Sequence, residues 1–192
     1  MGARELQAKK EAIAEVIDGR IVEDSDRVAV SIKGVVAGFA ATIEAIYPSW
    51  PFGVMYTVET GSAVNGAGNG DESRPATRMT IYPRVGRGLM GMVTKIVLFE
   101  PKGMSVGDKR SQSAFNFSYD NQDVAERLIH YPRVTDYLLD LDNHAKFSEI
   151  VIKTDVGIYL SQPMSFNGLD IDLCRSTFKT LGELAGILFE AF

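Results

Sequence analysis

In 192 residues the chain carries one cysteine, two histidines and one tryptophan. With Cys174 alone, an intramolecular disulfide is excluded, and so is a zinc site built from several thiolates. The same scarcity suits a reducing compartment, and a cytoplasmic protein, or the soluble part of a membrane-tethered one, is expected. His130 and His144 are the only imidazoles. No Gly-x-Ser-x-Gly elbow and no His-Glu-x-x-His pattern accompanies them. An uninterrupted apolar run is also missing. The longest candidate, residues 28–47, is broken by Lys33 and Glu44, whereas a span needs about 20 predominantly apolar residues. The first sixteen residues mix charges from the start, so no secretory signal is read there. Nor is there a surplus of positive charge. Twenty Lys and Arg stand against twenty-five Asp and Glu, a net charge of −5, and no nucleic-acid partner is expected.

What is present is the composition of a globular protein, 45% hydrophobic and 23% charged. Residues 3–18 read as a helix with a thin stripe of Leu6, Ile13, Val16 and Ile17, stopped at Asp18-Gly19. Val28, Val30 and Ile32 alternate as in a strand, and Gly34 is expected to break that run. Residues 35–47 and 52–60 read as two strands around "YPSWPFG", and 77–85 and 89–101 as two more around "GRG". The strand at 89–101 is apolar on both faces and is expected to be central. "FNFSY" (115–119) returns to alternation.

After Asp120 the character changes. Asp120 or Asn121 caps a short helix, and Pro132 suits the first turn of a second one bearing Val134, Tyr137, Leu138 and Leu141. A hairpin turning at Asp155–Gly157 follows. From about Asp170 to Phe192 the spacing of Cys174, Phe178, Leu181, Ala185, Leu188 and Phe192 predicts a long helix. Strands segregated from helices give an α+β fold: a largely antiparallel sheet with helices on one face or end. One domain over 1–192 is expected, with 1–104 mostly β and 105–192 mixed.

The stretch "ETGSAVNGAGNGDESRPATR" (59–78) holds Gly66-x-Gly68-x-Gly70 but is not a nucleotide loop. A dinucleotide fingerprint needs Gly-x-Gly-x-x-Gly between strand and helix, and here a strand follows. Asp71 and Glu72 would also repel phosphate. No cofactor is expected. The arginines just beyond are of more interest. Arg78, Thr80, Tyr82 and Arg84 fall on one face of a strand, with Arg74 and Arg87 close by. Such a stripe could hold a carboxylate, phosphate or lipid headgroup, so Arg78, Tyr82, Arg84 and Arg87 are the candidate anion-binding residues. The competing reading is a solvated sheet face.

Acidic pairs occur at Asp24/Asp26, Asp140/Asp142 and Asp170/Asp172. Asp140, Asp142 and His144 imitate part of a metal site, but no calcium-loop register fits, and no metal is expected. His130, at a helix end, reads as a cap, and Cys174 as a small buried side chain. No catalytic residue is assigned.

Two features read as partner contacts. Trp50 and Phe52 lie between and beside prolines at a hairpin tip, able to anchor a protein or membrane surface or to fold back over the core. Gly182 and Gly186 form a small-xxx-small pair on the last helix, suited to close packing within the chain or to self-association. A protein partner or homo-oligomer and peripheral membrane association follow as partner readings.

From residue 105 onward, Val106-Gly107-Asp108, Phe115–Asp120, Ala125–Ile129, Val134–Leu139, Ile150–Leu160 and Leu181–Leu188 make a familiar series. It resembles a module of uncharacterised bacterial proteins, many of them membrane-tethered, with a looser match over "GVVAGFAATIEAIYPSWPFGVMYTVET". One departure stands out: the family has a Phe-Asp pair soon after Gly-Asp, where this chain has Phe115-Asn116 after a longer interval. The resemblance implies a strand-helix-helix-hairpin-helix order, and neither an assigned activity nor catalytic residues. The expected function is a non-catalytic binding or interaction module. The alternatives are a hydrolase gripping an anionic substrate through Arg78 and Arg84, and a self-associating structural protein.

Overall fold

Helix α1 (Ala3–Val16) opens the chain and strand β1 (Arg20–Val22) follows it. The structure, a computed structural model, describes residues 2–22, 28–46, 53–63, 77–84 and 106–192. Trp50, Phe52, Arg87, the glycines at 66, 68 and 70 and the expected strand at 89–101 lie outside the described residues.

Strands β2 (Val28–Val36) and β3 (Phe39–Ile46) form a hairpin turning at Ala37–Gly38, with φ of 51° and 86°. Both central residues at positive φ make the tight turn that matches strand twist. The expected break at Gly34 is therefore three residues early. Gly34 continues the strand because α1 ends against it. The Val35 N–H donates to the Ile17 carbonyl at 2.6 Å, and a Cβ on Gly34 would lie 2.1 Å from that oxygen. A glycine marks close backbone approach here, not a turn.

Strand β4 (Val54–Ala63) runs beyond its expected end, and its register against β3 slips between Phe39↔Ala63 and Ala40↔Glu59. Next come β5 (Arg78–Pro83), helix α2 (Lys109–Ala114) and β6 (Phe115–Tyr119). Helix α2 is absent from the sequence reading. Helices α3 (Gln122–Ile129) and α4 (Val134–Ala145) follow, with Asn121 capping α3 through its side chain. Pro132 precedes α4, whose cap is Arg133, instead of entering its first turn. The hairpin β7 (Glu149–Lys153) and β8 (Gly157–Gln162) leads to α5 (Ile171–Ala191), capped by Asp170.

The eight strands among the described residues join one antiparallel sheet in the order β1-β2-β3-β4-β8-β7-β5-β6. Ile32, Ile43, Tyr56, Leu160, Ile150, Ile81 and Phe117 are matched from strand to strand and buried, so they share one face. The helices lie on this face. Tyr56 meets Phe178 of α5 edge-on, 5.1 Å between ring centroids, and Phe115 stacks on Phe147 beyond α4. The Tyr56 hydroxyl donates to Gln162 Oε1 at 3.1 Å, while Gln162 Nε2 donates to the Ala145 carbonyl. One buried polar chain thus ties β4, β8 and the end of α4 together. The result is the expected α+β fold. Among the described residues, no helix is long and apolar enough to cross a membrane.

Candidate binding face

The second face of the sheet carries no described element. Pairing alone writes out what it displays. Arg20, Lys33, Thr42, Thr57, Tyr159, Val151, Thr80 and Ser118 stand opposite one another in succession, one from each strand. Opposed residues project to the same side, so this row crosses the sheet for about 34 Å at ordinary strand spacing.

Two flanking rows carry most of the charge. On one side run Val22, Ser31, Glu44, Met55, Ser161 and Glu149. On the other run Val35, Ala40, Glu59, Gly157, Lys153 and Arg78. The short hydroxyls sit deep among longer neighbours. Ser31 donates to Glu44 at 3.4 Å, Ser161 donates to Glu149 at 3.4 Å, and Thr57 lies beside Tyr159. The Lys153 ammonium stands 5.3 Å from the centroid of the Tyr159 ring. Burial, Glu59 and Asp155 together raise the Tyr159 pKa above the ordinary phenol value.

Of the arginine stripe, Arg78, Tyr82 and Arg84 fall among the described residues. Arg78 is exposed at the start of β5 and directly opposite Lys153. Arg84 lies six residues on, about 20 Å away along an extended strand. Its Nε donates to the Phe115 carbonyl at 3.3 Å and to Asn116 Oδ1 at 3.0 Å, so it clasps the start of β6. The two guanidinium groups do not converge on one small anion. Between them, burial and Glu149 raise the Tyr82 pKa, partly opposed by Arg78. The residue that reasoning from sequence missed is Lys153. It neighbours Arg78 only through the β5–β7 pairing.

The other candidates find structural places. Gly182 is buried, and a Cβ there would come 2.8 Å from Val36 Cγ1 and 3.1 Å from Ala37 Cβ, so it admits the β2–β3 turn. Gly186 has open space at that position. The pair thus does not present a continuous outward strip. The His130 Nδ1–H donates to the Glu126 carbonyl at 2.8 Å, at the end of α3. His144 Nδ1 is 3.5 Å from Asp140, whose other oxygen accepts from Thr180 at 3.1 Å. Among the described residues, no three His, Cys, Asp or Glu side chains are grouped to hold a metal. Cys174 is buried, and that burial pushes its thiol pKa up to about 12. A thiol so protonated is a poor nucleophile at neutral pH.

Compared with protein-family models, curated proteins and solved structures, the chain matches none.

Proposed function

We propose that the protein is a non-catalytic binding or interaction module that meets its partner through the face of the sheet opposite the helices. The observation that supports this reading is the continuous row from Arg20 to Ser118, one side chain from each of eight strands, with no described element upon it. A rigid sheet backed by a packed helix layer holds those side chains in fixed register, which favours recognition at low entropic cost. Charges of both signs flank the row, as suits a mixed polar contact and not a single deep catalytic cleft. The hydrolase reading asked Arg78 and Arg84 to grip one substrate, and their separation along β5 does not favour it. The resemblance to membrane-tethered bacterial proteins and a cytoplasmic setting are part of the proposal.

The test is a titration of isotope-labelled protein with acidic and basic peptides, anionic metabolites and anionic lipid vesicles, read by amide chemical shifts. A binding member is expected to move the amides of Thr42, Thr57, Tyr159 and Thr80 together, and Tyr159→Ala is expected to weaken it at least tenfold. Shifts confined to the helix layer would overturn the choice of face. Turnover of a phosphomonoester or carboxylic ester by the wild type would overturn the non-catalytic reading.

A further inference from the structure

We propose that the chain pairs with a second copy of itself along the outer edge of β6, joining two eight-stranded sheets into one. Among the described residues, the two edges of the sheet differ in kind. Strand β1 is three residues long and begins with Arg20, the short charged edge that discourages strand addition. Strand β6 is FNFSY, with no charge, proline or glycine, and the buried Phe115 and Phe117 hold it in place.

Hydrogen bonding fixes which groups of β6 point outward. The Arg84 N–H donates to the Ala114 carbonyl and the Asp120 N–H to the Arg78 carbonyl. In an antiparallel ladder the bonded pairs alternate, so Asn116 and Ser118 face β5 while Phe115, Phe117 and Tyr119 face away. Phe115 is already served, its N–H by the Ser111 carbonyl and its carbonyl by Arg84 Nε. The N–H and C=O of Phe117 and Tyr119 remain, with no partner among the described residues.

One register satisfies all of them. With Ser118 opposite Ser118 on a two-fold axis, Phe117 of each copy exchanges both its bonds with Tyr119 of the other. The side chains agree with that register. Phe117 meets Tyr119 on the helix side, an aromatic cross-strand pair. On the other side Asn116 meets Asp120 of the second copy. Arg84 already lies against Asn116 at 3.0 Å, so its guanidinium is placed beside the incoming carboxylate, twice over by symmetry. No like charges come face to face. The interface is isologous and closes on itself, leaving no β6 edge for a third chain.

Light scattering and sedimentation over micromolar to submillimolar concentration test the proposal. The wild type is expected to approach twice the protomer mass. Ser118 sits on the axis and is only half-buried, so Ser118→Lys brings two ammonium groups together and is expected to raise the dissociation constant at least tenfold, with the thermal midpoint of the protomer retained. A second variant gives a positive signal. Opposed residues without a ladder bond have Cα atoms about 4.5 Å apart, inside the disulfide range of about 4.4–6.8 Å. Ser118→Cys is therefore expected to cross-link on mild oxidation, whereas Ser113→Cys, exposed on α2, does not. A wild type monomeric throughout, a Ser118→Lys protein that dimerises as before, or equal cross-linking at both cysteines would each overturn the proposal.

Discussion

At the scale of single residues, Gly182 and Gly186 separate two roles that look identical in sequence. Both occupy the interior of α5, where alanine is favoured over glycine by about 0.5–1 kcal/mol. Space decides the difference. At Gly186 nothing lies within 4 Å of the missing Cβ, so Gly186→Ala is expected to stabilise by about 0.5–1 kcal/mol, raising Tm by about 1–4 °C. At Gly182 the β2–β3 turn occupies the space, and Gly182→Leu forces Val36 and Ala37 aside. Overpacking of that kind costs about 2 kcal/mol, a fall in Tm of about 4–8 °C. Thermal melts of both variants check the pair, and a Gly182→Leu protein as stable as wild type would contradict the packing. The arginine stripe teaches the same lesson. Alternation in the sequence places Arg78, Tyr82 and Arg84 on one face, and the β5 pairings put Arg78 and Tyr82 on the same side, but it says nothing of Lys153 opposite Arg78 or of Arg84, past the end of β5, turned onto Phe115 and Asn116.

Among the elements, those with a strong internal period or cap were legible. Helix α5 shows its buried face at spacings of three and four, β6 alternates, and Asn121 caps α3. Helix α2 was not legible, because KRSQSA has no apolar period and only Ser111 is buried. Its start is written instead in Asp108, whose carboxylate accepts the Ser111 N–H at 2.8 Å. That bond holds the Asp108 pKa below the ordinary carboxylate value of 3.8. As pH falls through the ordinary value the unfolded chain takes up a proton before the folded one does, so stability present above it is lost on acidification. Asparagine caps about as well but carries no titrating proton. Asp108→Asn is therefore expected to match the wild type near neutrality and to lose less Tm as pH is lowered from about 4 downward. Melts of both proteins along a pH series compare the two. Parallel curves would mean that the cap does not titrate as described.

For the whole molecule, the decisive fact is strand order, and no local pattern carries it. The mostly β half and the mixed half of the sequence meet inside one sheet. Strand β8 lies against β4, and β5, from before residue 105, lies between β7 and β6. The row from Arg20 to Ser118 is a product of that order, assembled from distant segments, which is why the binding face could not be read along the chain. The same order predicts how the protein divides. A fragment of residues 105–192 keeps β6, β7 and β8 but loses β5, the strand that bridges β7 to β6, and with it Met79 and Ile81, which are opposite Ile152 and Ile150. Strand β6 then has no described neighbour, and Phe115 and Phe117 lose the partner strand that holds them in the core. An edge strand stripped of its ladder to the rest of the sheet cannot hold its register within the protomer. The isolated fragment is expected to show helical circular dichroism without a cooperative thermal transition. Mixed with a fragment of residues 1–104, it is expected to regain one, because β5 restores the bridge and β4 covers β8. A sharp, reversible transition in the 105–192 fragment alone would mean that its helices and hairpin make a core of their own, and that β5 is an addition to the fold and not its keystone.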